Sequence, residues 1–272
     1  MELKKLKVMA LSGLGLLFAS VSGVAAANAT IHYQDGSSEA LPTSYADAVS
    51  QDFFYQFNSW IPVKDGAGWH GQQTDLSRSF ITASCNLKLG GYIWTDKADG
   101  LVKIAVTHGT TNQAPPAGSG ASNSATCSSI SLEFNNGYNA SGFPAASAGA
   151  WVTSYPISSL PTFDDTGVLF GTFDNVQVDT PLFGYCSTED AGSGGHIDEV
   201  GFSNNGIPGV DPAPNKVSFD FDNDIEAPNG IACSVNGKLY SAVDKLLNSP
   251  DHTPGTPNPS PLSRGLIQYI SQ

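Results

Sequence analysis

The feature that most constrains the fold is a pair of alternating apolar and polar stretches joined by a short polar turn. Residues 87–95 and 101–107 alternate in this way, with Val102, Ile104 and Val106 on one side, and residues 96–100 between them read Asp-Lys-Ala-Asp-Gly. Period-two alternation places successive side chains on opposite faces of a strand. The two stretches therefore predict an antiparallel β-hairpin with one apolar face.

Similar short segments follow along the chain, at residues 129–134, 150–157, 168–178, 197–202 and 217–221. The chain contains 29 Gly and 17 Pro, and only 14% of its residues are charged, a composition that favours strands and turns over long helices. Asn236-Gly237 predicts a type I′ turn between strands at 231–235 and 238–240. The expected fold is mostly β, an antiparallel β-sandwich or jelly roll.

Two helices are expected beside the strands. Apolar residues recur at steps of three and four over residues 43–61, which predicts an amphipathic helix packed on the core; they are Tyr45, Val49, Phe53, Phe57 and Trp60. A short helix is expected over 242–247, before a Pro-rich segment at 249–263 and a final stretch, 265–271, that is apolar enough to dock on the body. Residues 112–125 and 140–149 have the composition of surface loops.

The first 29 residues have the layout of a cleavable secretory signal. Lys4, Lys5 and Lys7 precede an apolar run at 8–21 and a small-residue stretch ending in Ala27-Asn28-Ala29. We expect cleavage after Ala29 and export to the periplasm or the medium, with no membrane insertion afterwards; a transmembrane anchor is the alternative. The chain then divides into the signal at 1–29, a β-rich domain at 30–248 and a Pro-rich tail at 249–272.

Charge narrows the classes of partner. Removing the signal takes away three Lys and one Glu and leaves nine basic and 24 acidic residues, a formal charge of −15. Such a surface repels nucleic acid and anionic lipid. Cations remain possible partners, although solubility alone also accounts for the charge.

Four cysteines, Cys85, Cys127, Cys186 and Cys233, lie far apart with no close pair. In an exported chain this spacing predicts two disulfides, and three connectivities are possible. Pairing neighbours along the chain would join two successive halves. Zinc ligation is the alternative, but cysteine ligands of zinc usually come in close pairs.

Carboxylates recur at every second residue at Asp220, Asp222 and Asp224. Converging oxygen ligands suit calcium, so we expect these residues as a metal site, with calcium as the one cofactor considered. The alternative is a strand whose acidic residues simply face water.

Three histidines, His70, His108 and His196, adjoin Gly-marked turns, where functional side chains often project. With Asp198 and with Trp69, which lies in a Gly-rich loop, they are the predicted ligand-binding residues. The alternative is three unrelated surface histidines. No catalytic residue is assigned.

Three hypotheses of function remain. The first is an exported binding module for a carbohydrate or another cell-surface ligand, with Trp69 as a stacking platform and calcium as an aid. The second is a secreted hydrolase, acting on polysaccharide or through a metal held by histidines. The third is a structural or host-contact surface protein. The sequence lacks HExxH, GxSxG and GxxxxGK[ST], which argues against the commonest zinc proteases, serine hydrolases and P-loop nucleotide-dependent enzymes.

Overall fold

Antiparallel strands make up most of the described residues. The computed structural model describes residues 28–33, 36–51, 53–62, 69–132, 134, 151–160, 168–174, 176–180, 184–187, 196–204, 217–225, 233–242 and 267–272. Within these ranges no helix has the length and apolar character that crossing a bilayer requires. The strands are β1 (Thr30–Tyr33), β2 (Ser38–Ala40), β3 (Phe54–Asn58), β4 (Trp60–Pro62), β5 (Trp69–Gly71), β6 (Thr74–Arg78), β7 (Ile81–Cys85), β8 (Lys88–Asp96), β9 (Leu101–Thr110), β10 (Ser131–Leu132), β11 (Trp151–Pro156), β12 (Val168–Asp174), β13 (Gln177–Thr180), β14 (Gly184–Ser187), β15 (His196–Ser203), β16 (Ser218–Ile225), β17 (Cys233–Ala242) and β18 (Ile267–Ser271).

Eight of these strands form a closed, barrel-like sheet. Their order is β3-β8-β9-β11-β12-β15-β16-β17, and β17 returns to pair with β3; every neighbouring pair is antiparallel. The second half of β17 pairs with β3 and its first half pairs with β6, so the β6–β7 hairpin extends the sheet beyond the ring. Closure gives each of the eight strands a partner on both sides.

The mostly β, antiparallel class is confirmed. A sandwich or jelly roll is not confirmed, because the hydrogen bonds join the strands into one closed sheet. The predicted hairpin is present as β8 and β9, and Val102, Ile104 and Val106 are buried on its inner face.

The interior of the ring is filled by side chains. Ring centroids of Phe57 and Phe219 lie 4.9 Å apart, and those of Tyr155 and Phe202 lie 5.2 Å apart. A void of about 20 Å³ is lined by residues of all eight strands, and a second void, of about 30 Å³, lies toward the β6–β7 hairpin. These volumes are far below the roughly 150 Å³ of a cavity that admits benzene, so the interior is a packed core.

The predicted N-terminal helix is much shorter than expected. Helix α1 spans Tyr45–Ser50, with Ser44 as N-cap, whose side chain accepts a hydrogen bond from the Asp47 N–H. The helix prediction is wrong beyond residue 50, because the chain continues as β3. All five residues of β3 are buried, and the aromatic residues around it fit helical spacing as well as strand alternation. Of the helix expected over 242–247, Ala242 is the last residue of β17 and the remainder lies outside the described residues.

The turn predicted at Asn236-Gly237 is also wrong, because β17 runs straight through it. A Cβ at Gly237 would lie 2.5 Å from Thr74 Oγ1 and 2.9 Å from Thr74 Cα. This glycine marks a close approach between β17 and the start of β6 rather than a turn.

The two ends of the described chain pair with each other, in the order β18-β1-β2. Asn204, which is fully buried, fastens β18 to the end of β15. Its Nδ2 donates to the carbonyl of Ile270 at 3.0 Å, and its Oδ1 accepts from the N–H of Ile270 at 2.9 Å. The Asn204 amide thus takes the place of a neighbouring strand at this position.

Two disulfides are present, Cys85–Cys127 and Cys186–Cys233, which confirms the bridges and selects the pairing of chain neighbours. The first bridge holds the segment predicted as a loop at 112–125 against the edge of β7. There Ser124 Oγ accepts from the Ser84 N–H at 3.0 Å. The second bridge connects β14 of the small sheet β10-β13-β14 to β17 of the ring. The loop predicted at 140–149 lies outside the described residues.

Candidate functional site

Polar side chains cross the outer face of the ring over four neighbouring strands. The register places Tyr240, Asn58, Lys88 and Thr110 side by side on β17, β3, β8 and β9. Two residues away on each strand, Gln56, Gly90 and His108 form a second row. These residues face outward because Phe57 and Leu89, their neighbours in the chain, line the interior. We call Gln56, Asn58, Lys88, His108 and Tyr240 the polar band.

A small pocket opens at the polar band. Its volume is about 10 Å³, and its lining consists of Phe54, Gln56, Lys88, Gly90, His108, Gly109 and Thr110. A Cβ at Gly90 would lie 2.7 Å from the Phe54 ring, so the absence of a side chain there lets the ring lie against β8. A space of this size accommodates one water-sized group. The pocket can therefore receive one functional group of a ligand whose remainder lies outside it.

His108 is held in the pocket wall by two contacts. Its ring packs against the Phe54 ring at a centroid distance of 5.6 Å, and its Nδ1 lies 2.7 Å from Thr107 Oγ1. The ring is half-buried, so part of it remains accessible from the pocket. His108 thus lines the pocket, and its contact with a ligand stays a prediction.

The polar band contains buried amide groups that have no hydrogen-bond partner among the described residues. Gln56 is 3% exposed and Asn58 is 1% exposed. Within the described part of the chain, no partner lies within hydrogen-bonding reach of Gln56 Oε1 or of either polar atom of the Asn58 side chain. Buried polar groups are almost always paired in folded proteins, and each orphaned group costs about 1–3 kcal/mol. These groups therefore call for a partner outside the described residues, such as water, an ion or a ligand.

His70 flanks the polar band on the other side. It lies on β5, which pairs with β4, and its ring contacts the Tyr240 ring at a centroid distance of 5.5 Å. Burial, and then the charge of Lys238, lowers the pKa of His70. Burial, and then the charge of Asp220, raises the pKa of Tyr240 to about 12. At neutral pH the His70 ring is therefore neutral and the Tyr240 hydroxyl keeps its proton.

The predicted histidines do not share one site. Tyr240 and Thr110 stand three strand spacings apart, about 14 Å, so His70 and His108 lie at opposite sides of the polar band. His196 pairs with Asp174 on β12, and β15 is three strands from β9 around the ring. The side chains of His196 and Asp198 lie outside the described residues. Trp69 is half-buried on β5, next to His70.

The acidic residues of β16 follow one another along a regular strand. Asp220, Asp222 and Asp224 pair with Lys238, Asn236 and Ser234 of β17. Positions 220 and 224 of an extended strand are about 13 Å apart, whereas calcium binds oxygens at about 2.3–2.6 Å. An ion bound here would therefore take carboxylates from adjacent alternate positions, not from all three.

Asp220 already has a cationic neighbour. Its side chain is 54% exposed, and its Oδ2 lies 3.4 Å from Lys238 Nζ. The described residues contain no group of three or more His, Cys, Asp and Glu side chains arranged to hold a metal ion. The side chains of Asp222 and Asp224 lie outside that description, and calcium stays a prediction.

No family model, curated protein or solved structure matches this chain. The polar band and its pocket therefore carry the functional inference.

Sequence reasoning missed Gln56, Asn58 and Lys88. A usable signal was present, since Gln56 and Asn58 alternate with Tyr55 and Phe57 with period two. The aromatic spacing over residues 43–61 also fits a helix, and that interpretation conceals the alternation.

Proposed function

We propose that this protein is an exported binding module that holds a glycan at the pocket of the polar band. The single observation that carries the proposal is that Gln56, a residue of the pocket lining, has a buried amide oxygen with no donor among the described residues. A sugar hydroxyl is a donor of the right size for a pocket of about 10 Å³. Lys88 and His108 supply further hydrogen-bonding groups in the same wall.

The remainder of the glycan would lie across the outer face. Trp69 is the aromatic platform we propose for an apolar sugar face, because it is half-buried on β5 beside His70, which contacts Tyr240 of the polar band. Calcium belongs to the proposal as an aid, bound by adjacent aspartates of β16. That acidic strand pairs with β17 of the polar band, and Asp220 and Lys238 form an ion pair between the two strands.

Export through the N-terminal signal is also part of the proposal. Two disulfides support it, because disulfides form and persist in oxidising compartments outside the cytoplasm. The acidic composition of the mature chain fits a ligand without phosphate groups.

A glycan array tests the proposal. The processed protein is applied once with millimolar calcium and once with chelator, beside the variants Gln56→Ala and Gln272→Ala. Gln272 is exposed, carries the same side-chain amide as Gln56, and is remote in the chain from the pocket residues. We expect one class of glycan to bind, Gln56→Ala to weaken binding about tenfold through the loss of one hydrogen bond, and Gln272→Ala to bind normally.

Each result has a defined meaning. Binding that disappears with chelator would support the calcium aid, and binding in both conditions would remove calcium from the proposal. Glycan binding that Gln56→Ala leaves unchanged would contradict the assignment of the pocket. No binding to any glycan in either condition would contradict the proposed function.

A further inference from the structure

The residue just before β1 is part of the buried core. Ala29 is fully buried, and its N–H donates to Thr95 Oγ1 at 3.1 Å. Its carbonyl accepts from the Leu41 N–H at 2.8 Å. Thr95 is 0% exposed and Leu41 is 1% exposed, so neither of these groups can turn to water instead. Ala29 thus belongs to the folded domain.

Two bonds in this region follow an Ala-x-Ala sequence, the pattern of small residues that a signal peptidase recognises. Ala27-Asn28-Ala29 would direct cleavage after Ala29, and Ala25-Ala26-Ala27 would direct it after Ala27. Cleavage after Ala29 would remove a core residue, and the Leu41 N–H and Thr95 Oγ1 would lose these bonds inside the protein. Cleavage after Ala27 keeps Ala29 and both bonds, and places the new ammonium group on Asn28, before β1.

We infer that the signal peptidase hydrolyses the Ala27–Asn28 bond, so that the exported protein begins at Asn28. Water adds across this peptide bond, giving a carboxylate on Ala27 and an ammonium group on Asn28. The inference depends on the proposed export and moves the processing site two residues upstream of the site expected from the sequence. It also makes the first residues of the mature chain part of the fold, since β1 pairs with both β2 and β18.

The direct test is the N-terminal sequence and intact mass of the protein that a bacterial host exports from the full chain. A product beginning at Asn28 supports the inference. A product beginning at Thr30, or at any other residue, overturns the assigned site while leaving export intact. A chain that keeps residues 1–27 overturns both the site and the proposed export.

Two signal variants sharpen the result. Ala25→Glu alters the first small position required for cleavage after Ala27, and we expect the product beginning at Asn28 to fall at least tenfold. Ala26→Glu introduces the same charge at the unrestricted middle position and should leave the product unchanged. An undiminished Asn28 product from Ala25→Glu would contradict the assigned recognition.

The structural reason is tested separately on purified chains that begin at Asn28 and at Thr30. Losing two buried hydrogen bonds should lower the thermal midpoint of the shorter chain by about 5 °C. Equal midpoints would overturn the argument from Ala29.

Discussion

Replacing the buried amides of the polar band by apolar side chains should stabilise the free protein and weaken ligand binding. Asn58 has two polar side-chain atoms without partners among the described residues, and Gln56 has one. Leu has the same branched shape and number of heavy atoms as Asn, and Met is as long as Gln. Asn58→Leu and Gln56→Met therefore remove the desolvation cost with little change in shape.

The expected size of the effect follows from the number of unpaired atoms. At about 1–3 kcal/mol for each orphaned group, less the strain of fitting a slightly larger side chain, Asn58→Leu should raise the free energy of unfolding by about 2 kcal/mol. Gln56→Met should raise it by about 1 kcal/mol. For a domain of this size, 2 kcal/mol corresponds to a rise of about 4–8 °C in thermal midpoint. Urea denaturation and a thermal scan measure both variants.

Asn204→Leu is the matched control. Asn204 is also buried, but its Nδ2 donates to the Ile270 carbonyl and its Oδ1 accepts from the Ile270 N–H, so its loss should lower the free energy of unfolding. The reasoning would be refuted if Asn58→Leu and Gln56→Met destabilised the protein as Asn204→Leu does. That result would mean that the amides of the polar band have a structural role that a ligand does not share.

Three further predictions concern stability. Asn204→Ala should lose about 2–4 kcal/mol in urea denaturation, because the N–H and carbonyl of Ile270 are left unpaired; an unchanged urea midpoint would contradict this. Burial lowers the pKa of His32 and of His70 below 6.5, so the unfolded chain binds more protons between the lowered values and 6.5. Stability should then fall as the pH is lowered from 7.5 to 5.5, and His70→Gln should flatten that slope; an unchanged slope would count against burial as the cause. Reducing the two disulfides, whose cysteines are 42 and 47 residues apart, should cost about 4 kcal/mol per bridge, measured from urea midpoints with and without reductant, and equal midpoints would contradict it.

Local patterns predicted much of the strand content. The β8–β9 hairpin could be identified because Val102, Ile104 and Val106 recur at every second residue, the spacing of side chains that share one face of a strand. The prediction fails for β3, where an aromatic spacing that also fits a helix conceals the alternation of Gln56 and Asn58, and for Gly237, whose missing side chain allows a close approach to Thr74. In each failure, a neighbour distant in the chain decides the conformation.

The candidate site was only partly predictable for the same reason. His108 could be selected because it adjoins a glycine, and the structure places it in a pocket wall. Gln56 and Lys88 acquire their importance only when β3 and β8 lie side by side and bury them, and Tyr240 joins them from a strand about 180 positions further along the chain.

The sequence by itself determined the antiparallel β class, the hairpin and the presence of paired cysteines, because each follows from the local spacing of residues or from their type. Tertiary structure alone decided that β17 closes the ring against β3, which cysteines pair, and where buried amides meet a pocket. Ring closure depends on the register between segments far apart in the chain, and register is a property of the assembled sheet rather than of any one segment.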